Sequence, residues 1–374
     1  MQLGSRAGVM LVLALVVAAC GPAATTPSNQ PASAPASQPP PKTPAPAPQA
    51  APKSETKPEV APATKTSGAP ITWRLPFPSA VTDAPAVALK KWADSAMEKT
   101  NGRLKIEFFP NEQLGEQAAT VRGVMEGTLE LSATGGPSGG TFDRRWEVLN
   151  QLMLFDGPEH AYKVLDGPLG DELGKTLEPK GVKVLGYFDW GFRNFGNARR
   201  PVNSVDDLKG LKFRIHASPA LVAQYEALGA VPVGIPWSEA YTAIRQGTID
   251  GVDVAAGVYL NNKMHEVAKN YVLSGHNFAS GVIWVGTKQL EALPPDVRDF
   301  VIKGAREAAL EARKLVVDGE AKSLEELKAK GVKVTGPLDK KSMRERVDSV
   351  RAQARDLAGT EYYDKFMKGL DAAR

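Results

Sequence analysis

The sequence predicts an α/β fold arranged in two lobes. Over residues 71–374, short β-prone runs alternate with amphipathic helical runs across short connections. The alternation comes in two successive sets, 71–189 and 211–254. A helical stretch of about 36 residues then follows, roughly 54 Å long, which exceeds one small domain and can lie across two. Composition agrees with a globular body: 43% of the residues are hydrophobic and 24% charged.

In the first set, 71–77 reads as a strand and 86–99 as a helix that Asn101-Gly102 ends. Residues 104–109 are apolar and β-prone until Pro110 breaks them. A helix over 115–126, a buried strand over 129–134, a helix over 159–177 and a strand over 182–189 complete the set. In the second set, strand 211–215 has period two, with Leu211, Phe213 and Ile215 on one face and Lys212 and Arg214 on the other. Helices over 221–228 and 238–246 and a strand over 249–254 follow. In the first of these helices, Leu221, Tyr225 and Leu228 repeat at helical spacing. Pro294-Pro295 opens the long helix and Gly331 closes it, with Gly304 and Gly319 as candidate bend points. This alternation implies a mostly parallel sheet in each lobe. No 20–50-residue period repeats, which excludes a solenoid.

The chain opens with an address. One positive charge in 1–6 precedes an apolar run over 7–17, shorter than a membrane-spanning helix and matching the core of a secretory signal. Val17-Ala18-Ala19-Cys20 resembles a bacterial lipobox, which implies cleavage before Cys20 and its acylation. Residues 21–70 hold 14 of the 29 prolines and no aromatic residue, leucine or isoleucine. Such a segment buries too little apolar surface to offset its ordering entropy and reads as a disordered tether. A flexible coil of this length averages about 40 Å end to end.

The same counts exclude several function classes. Of the net charge of +4, Arg6 supplies one and 21–70 supply two (four Lys against two Glu), so 71–374 carry 4 − 1 − 2 = +1. A body so close to neutral argues against a nucleic-acid partner. A single cysteine excludes a disulfide framework, a thiolate zinc site and an iron–sulfur cluster. Gly136-Pro137-Ser138-Gly139-Gly140 matches the G-x-S-x-G of serine hydrolases in letters. The glycines and proline around Ser138 suit a loop that brings backbone close to a ligand better than a nucleophile elbow. His265-Glu266 begins like a zinc motif, but Lys269 stands where the second histidine is needed.

What remains is a binding protein. Gly191-Phe192-Arg193-Asn194, Arg200-Pro201-Val202, Asp207-Leu208-Lys209-Gly210-Leu211-Lys212-Phe213-Arg214-Ile215, Pro236-Trp237-Ser238 and Ile249-Asp250-Gly251 follow in order, with Gln113-Leu114-Gly115 upstream. This series resembles the extracytoplasmic solute receptors of tripartite ATP-independent periplasmic (TRAP) transporters, the DctP-like family. The resemblance covers nearly all of 71–374. It implies a periplasmic-binding-protein-like fold of type II character, with hinge strands and a domain-spanning helix. The expected division is a signal peptide over 1–19, a lipidated Cys20 with a tether to residue 70, lobe I over 71–190 plus 280–320, and lobe II over 191–279 plus 321–374.

The resemblance also implies a role: capture of a small carboxylate outside the cytoplasm and delivery to a small and a large membrane permease subunit, with no catalysis and no cofactor. Arg214 is then the residue that grips the ligand carboxylate, and Arg193 assists. A guanidinium suits both roles, because its paired donors match a carboxylate and it stays charged at working pH. Trp237 stands at a position often aromatic in the family, where it walls the ligand. Gly135 and Gly136 are candidates to present backbone N–H groups, with Phe77 and Tyr259 as further wall residues. The chain departs from the family where Val254 replaces an asparagine, while Asp253 keeps an acid. Asp253 either pairs with an arginine or helps to hold a cation that bridges to the ligand. Two alternatives stay open: a receptor of another uptake or sensory system with this fold, and a lipoprotein hydrolase using Ser138.

Overall fold

The computed structural model describes residues 69–374 apart from Ala217; the signal segment, Cys20 and the tether lie outside the described residues. The first set of elements forms largely where the sequence places it. Strands β1 (Ile71–Pro76) and β2 (Leu104–Phe109) pair in parallel as a separate two-stranded sheet. Helix Ala84–Lys99 lies between them and buries Ala86, Leu89, Trp92, Ala93 and Ala96 at helical spacing. Helix Gln117–Glu126 starts where the Glu116 carboxylate accepts the N–H groups of Ala118 and Ala119, and ends at Gly127 in the left-handed region. The expected helix over 159–177 is two helices, Pro158–Leu165 and Pro168–Lys175. Pro168 lacks the N–H that a continuous helix needs and opens the second one instead.

The sheet differs more from expectation. One mixed seven-stranded sheet runs through the body in place of a mostly parallel sheet in each lobe. Its members are β3 (Leu131–Gly135), β4 (Val182–Asn197), β5 (Lys212–Ile215), β6 (Val231–Gly234), β7 (Gly251–Val254), β8 (Asn270–Gly286) and β9 (Lys333–Thr335). The spatial order is β3-β8-β4-β7-β5-β6, with β9 on β8. Within this sheet only β5–β6, β5–β7 and β8–β9 are parallel pairs among the described residues.

The physical reason is the pair of long strands, β4 of 16 residues and β8 of 17, which run antiparallel to each other. Each passes from one core to another. Phe188 of β4 packs with Leu75 and Trp92, whereas Phe195 of the same strand packs with Phe213 and Tyr225. The pairing slips between Asp189 and Phe192, and there Gly191 adopts φ +92. A side chain would be strained at that φ, so glycine permits the bulge that lets one strand serve two cores. The strand expected over 182–189 thus continues to Asn197.

The long helix, Pro295–Ala329, runs unbroken through Gly304 and Gly319. Its first half packs Val297, Val301, Ala305 and Ala309 against Trp92 and Leu89, and its far end places Leu327 beside Tyr259 and Ile249. It therefore bridges two cores, as its length suggests. The C-terminal helices were not foreseen. Met343 and Val347 join Phe213, but Ala354, Tyr363, Phe366 and Leu370 pack on Trp146 and Trp284. The expected division places all of 321–374 in lobe II; the apolar faces of Arg351–Ala358 and Thr360–Ala372 pack in one cluster with Val121, Trp146, Leu173 and Val182. Among the described residues no helix is long and apolar enough to cross a membrane.

Candidate functional site

A cavity opens where the carboxyl ends of β5 and β7 meet the bulged middle of β4 and β8. Arg214 is the next-to-last residue of β5, and Asp253 the next-to-last of β7. Phe213 and Ile215 enter an apolar core, so the alternation of the strand turns Arg214 the other way, to the cavity wall. Strand carboxyl ends are where α/β sheets commonly place ligands.

The charges are unequal in their partners. Arg193 donates from Nε to Asp253 Oδ2 at 2.7 Å and from Nη2 to Oδ1 at 2.9 Å. His276 Nε2 lies 3.2 Å from the same Oδ2, and its Nδ1 lies 2.8 Å from Ser274 Oγ. The His276 ring is stacked on Phe195 with centroids 3.9 Å apart, which fixes its plane. Arg214, by contrast, donates from Nε to Ile235 O at 2.9 Å and meets no carboxylate among the described residues. It is 4% exposed, and Trp237 spreads beneath its guanidinium at 5.6 Å.

Electrostatics follows this inequality. Burial alone would push the Asp253 carboxyl up, but the charge and hydrogen bonds of Arg193 outweigh burial and hold it well below its ordinary range. Burial, and then the like charge of Arg193, push Arg214 down to about 10. Burial, followed by the charge of Arg214, lowers His216 well below its ordinary value. Burial likewise lowers His276, although Asp253 partly opposes it. The two imidazoles are therefore neutral at pH 7. The site holds one compensated arginine and one guanidinium whose terminal nitrogens have no anion.

Of the residues singled out from the sequence, Arg193, Arg214, Trp237, Asp253 and Gly135 meet at this cavity. The other three do not line it. Phe77 is 1% exposed and stands behind Trp190, which takes the wall position with ring centroids 5.5 Å away. Tyr259 is fully buried, donates to Ala268 O and packs on Tyr271. Gly136 is held against Ser280, whose Oγ would lie 2.6 Å from an added Cβ, and Ser280 is the residue that reaches the cavity. The Gly135 N–H is already taken by Gln117 Oε1 at 2.9 Å, so it is not free for a ligand. Ser138 does not line the cavity, and among the described residues no histidine hydrogen-bonds to it; a 3-10 helix, Gly136–Thr141, follows β3 where a nucleophile elbow needs an α-helix.

Sequence reasoning missed Gln117, Asn277 and Ser280, which line the cavity, and His276 behind it. Asn277 sits directly opposite Arg193 in the β4–β8 register. The signal was present in the β-prone run Val282-Ile283-Trp284-Val285 between two glycines, which marks the end of β8.

Comparison with known proteins settles the class. The family model for bacterial extracellular solute-binding proteins, family 7 (DctP), matches residues 81–356. The chain belongs to this family. Among its relatives is the 2,3-diketo-L-gulonate-binding periplasmic protein YiaO of Escherichia coli (strain K12), 34% identical over 76% of this chain and 86% of that protein. Among solved structures, the sugar acid binding protein of Advenella mimigardefordensis in complex with galactonate is 25% identical, with a TM-score of 0.78 over 82% of this chain and 99% of that one. A TRAP periplasmic solute-binding protein of a Polaromonas species, bound to D-erythronate, is 28% identical, with a TM-score of 0.75 over 79% and 98%. The protein is thus a DctP-family solute receptor with the two-lobe fold of the periplasmic TRAP receptors.

Proposed function

We propose that this DctP-family receptor binds a small organic acid in the cavity and hands it to the small and large membrane subunits of a TRAP permease. The observation that carries the reading is Arg214, a buried guanidinium with no carboxylate partner among the described residues. Leaving a cation buried and unpaired is unfavourable, and a ligand carboxylate removes that penalty on binding. Arg193 and Asp253 frame the ligand, Trp237 and Trp190 wall its carbon skeleton, and Gln117, Asn277 and Ser280 meet its polar groups. Three relatives support an acidic ligand: they bind 2,3-diketo-L-gulonate, galactonate and D-erythronate. The receptor is no enzyme in this reading.

The lobes proposed are 71–190 plus 280–320, joined by the terminal helices, and 191–279 plus 321–350. They close on the ligand because only the closed form makes every contact. The receptor is anchored outside the cytoplasm through acylated Cys20 on a tether to residue 70; Cys20→Ser is expected to move it from the membrane fraction to the soluble fraction, and unchanged membrane retention would remove the anchor. The function is tested by releasing bound ligand from purified receptor and identifying it by mass spectrometry, beside a thermal-shift screen of organic acids. A carboxylate that raises the melting temperature supports the reading. A neutral or cationic ligand with no response to acids would overturn it.

A further inference from the structure

The cavity wall carries three charged side chains among the described residues: Arg193, Arg214 and Asp253. Asp253 is engaged on both oxygens by Arg193, and its side chain is 2% exposed, so the pair is a fixed internal salt bridge that leaves no second cation free. His216 and His276 add no charge at pH 7. The wall therefore presents a surplus of one positive charge, located on Arg214.

Two further carboxyl groups bond next to Trp237, outside the cavity lining. Glu112 reaches across to the Ser238 N–H at 3.0 Å, close enough for its charge to act on Arg214. Asp83 accepts the Asn262 amide at 3.0 and 3.2 Å, and Asn262 in turn accepts Trp237 Nε1. Neither group adds a cation, and a ligand held on Arg214 meets Asp253 as the one carboxylate lining the cavity among the described residues. The remaining walls are apolar (Leu149, Leu221, Val254, Val258) or neutral and polar (Gln117, Asn277).

We propose that the cleft selects acids carrying a single negative charge and discriminates against the matching diacids, because Asp253 consumes the charge of Arg193 and leaves only Arg214 for an anion. This rests on the carboxylate-receptor reading above. A second ligand carboxylate would be stripped of water without a cation to receive it. A hydroxyl, carbonyl or methyl at the same place meets no such penalty. Arg193 still has N–H groups beyond those bound to Asp253, so it serves as a neutralised donor to a hydroxyl or carbonyl.

The test titrates purified receptor, freed of bound ligand, with matched acids that differ only by a terminal CH2OH or CH3 replaced by a carboxylate: galactonate and galactarate, erythronate and meso-tartrate, butyrate and succinate. The monoacid is expected to bind at least tenfold more tightly than its diacid in every pair that binds. Asp253→Asn, which frees Arg193, is expected to shift that ratio at least tenfold toward the diacid. Should this variant fail to fold, the wild-type ratio and the charge of the ligand released from purified receptor still decide. A diacid that binds as tightly as its monoacid, or a diacid as the released ligand, would overturn the selectivity while leaving the receptor reading intact. If no acid of the panel binds and the released ligand is not an acid, the receptor reading itself falls, and the selectivity with it.

Discussion

Replacing Arg214 with methionine separates a binding residue from a structural one. The guanidinium is buried and held down to about 10 from 12.5, first by burial and then by Arg193. The fold therefore carries a cation that the unfolded chain hydrates freely, a penalty of about 3 kcal/mol at neutral pH. Methionine removes the penalty but also loses the contact with Trp237 and the donor to Ile235 O, worth together about 2 kcal/mol. The ligand-free variant should be as stable as wild type or slightly more so. Ligand binding should weaken by about 2–5 kcal/mol, roughly 30-fold to several thousandfold. Arg193→Met should behave in the opposite way. It leaves Asp253 buried without its partner and should destabilise the ligand-free protein by about 3–5 kcal/mol. Calorimetric titration with the identified ligand and thermal melts without ligand read both effects. Binding within threefold of wild type for Arg214→Met, or a collapse of its ligand-free melting temperature, would refute the reasoning.

Three further outcomes are expected. Burial raises Asp83 and Asp189 to about 6, with hydrogen bonds from Asn262 and from Tyr162 only partly opposing it. Each carboxyl thus holds its proton in the fold at a pH where the unfolded chain has lost it. The stability it contributes is full below about pH 4 and is lost as pH rises through 6, by roughly 3 kcal/mol per residue. Melting curves of wild type and of Asp189→Asn should therefore diverge between pH 4 and 7, the variant gaining on wild type as pH rises; parallel curves would reject the shift. Asn262 ties the cavity-wall residue Trp237, through its Nε1, to Ala80 N and the Asp83 carboxyl. Asn262→Leu should weaken ligand binding about tenfold or more, with dissociation accelerated more than association is slowed, as followed by stopped-flow fluorescence; unchanged dissociation would contradict that role. At Gly251 an added Cβ would lie 1.9 Å from Gly196 O, a backbone atom in the paired strand. Gly251→Ala should cost about 3 kcal/mol or more by denaturant unfolding, and a loss under 1 kcal/mol would show that β4 and β7 can separate.

Much of the fold was legible because local rules and tertiary packing agree there. The period-two pattern of 211–215 sends Phe213 into the core and Arg214 to the cavity wall; Ile215 belongs to the core and also touches the cavity. The proline start and glycine stop of the long helix located it to within a residue or two. The errors in the sheet share a cause, which is long-range pairing. Nothing local announces that the strand after Val182 continues past Gly191, since the continuation depends on β8, some 80 positions later. Missing β8 also hid His276 and Asn277. Phe77 and Tyr259 carry the right chemistry for a cavity wall, but Trp190 occupies the layer in front of Phe77, and Gly196 lets the Tyr259 ring pack onto the strand. Arg193 shows a different limit. Its residue type and place are readable, and pairing of Asp253 with an arginine is one of the two readings the sequence leaves open, whereas the choice of Arg193 over Arg214 is a matter of distance.

The most direct measurement is a crystal structure of the receptor with the ligand it carries when purified. A carboxylate forked on the terminal nitrogens of Arg214 at about 2.8 Å, with Asp253 still bound to Arg193, is the expected result. A ligand whose acidic group lies elsewhere, or one with no acidic group beside Arg214, would contradict it.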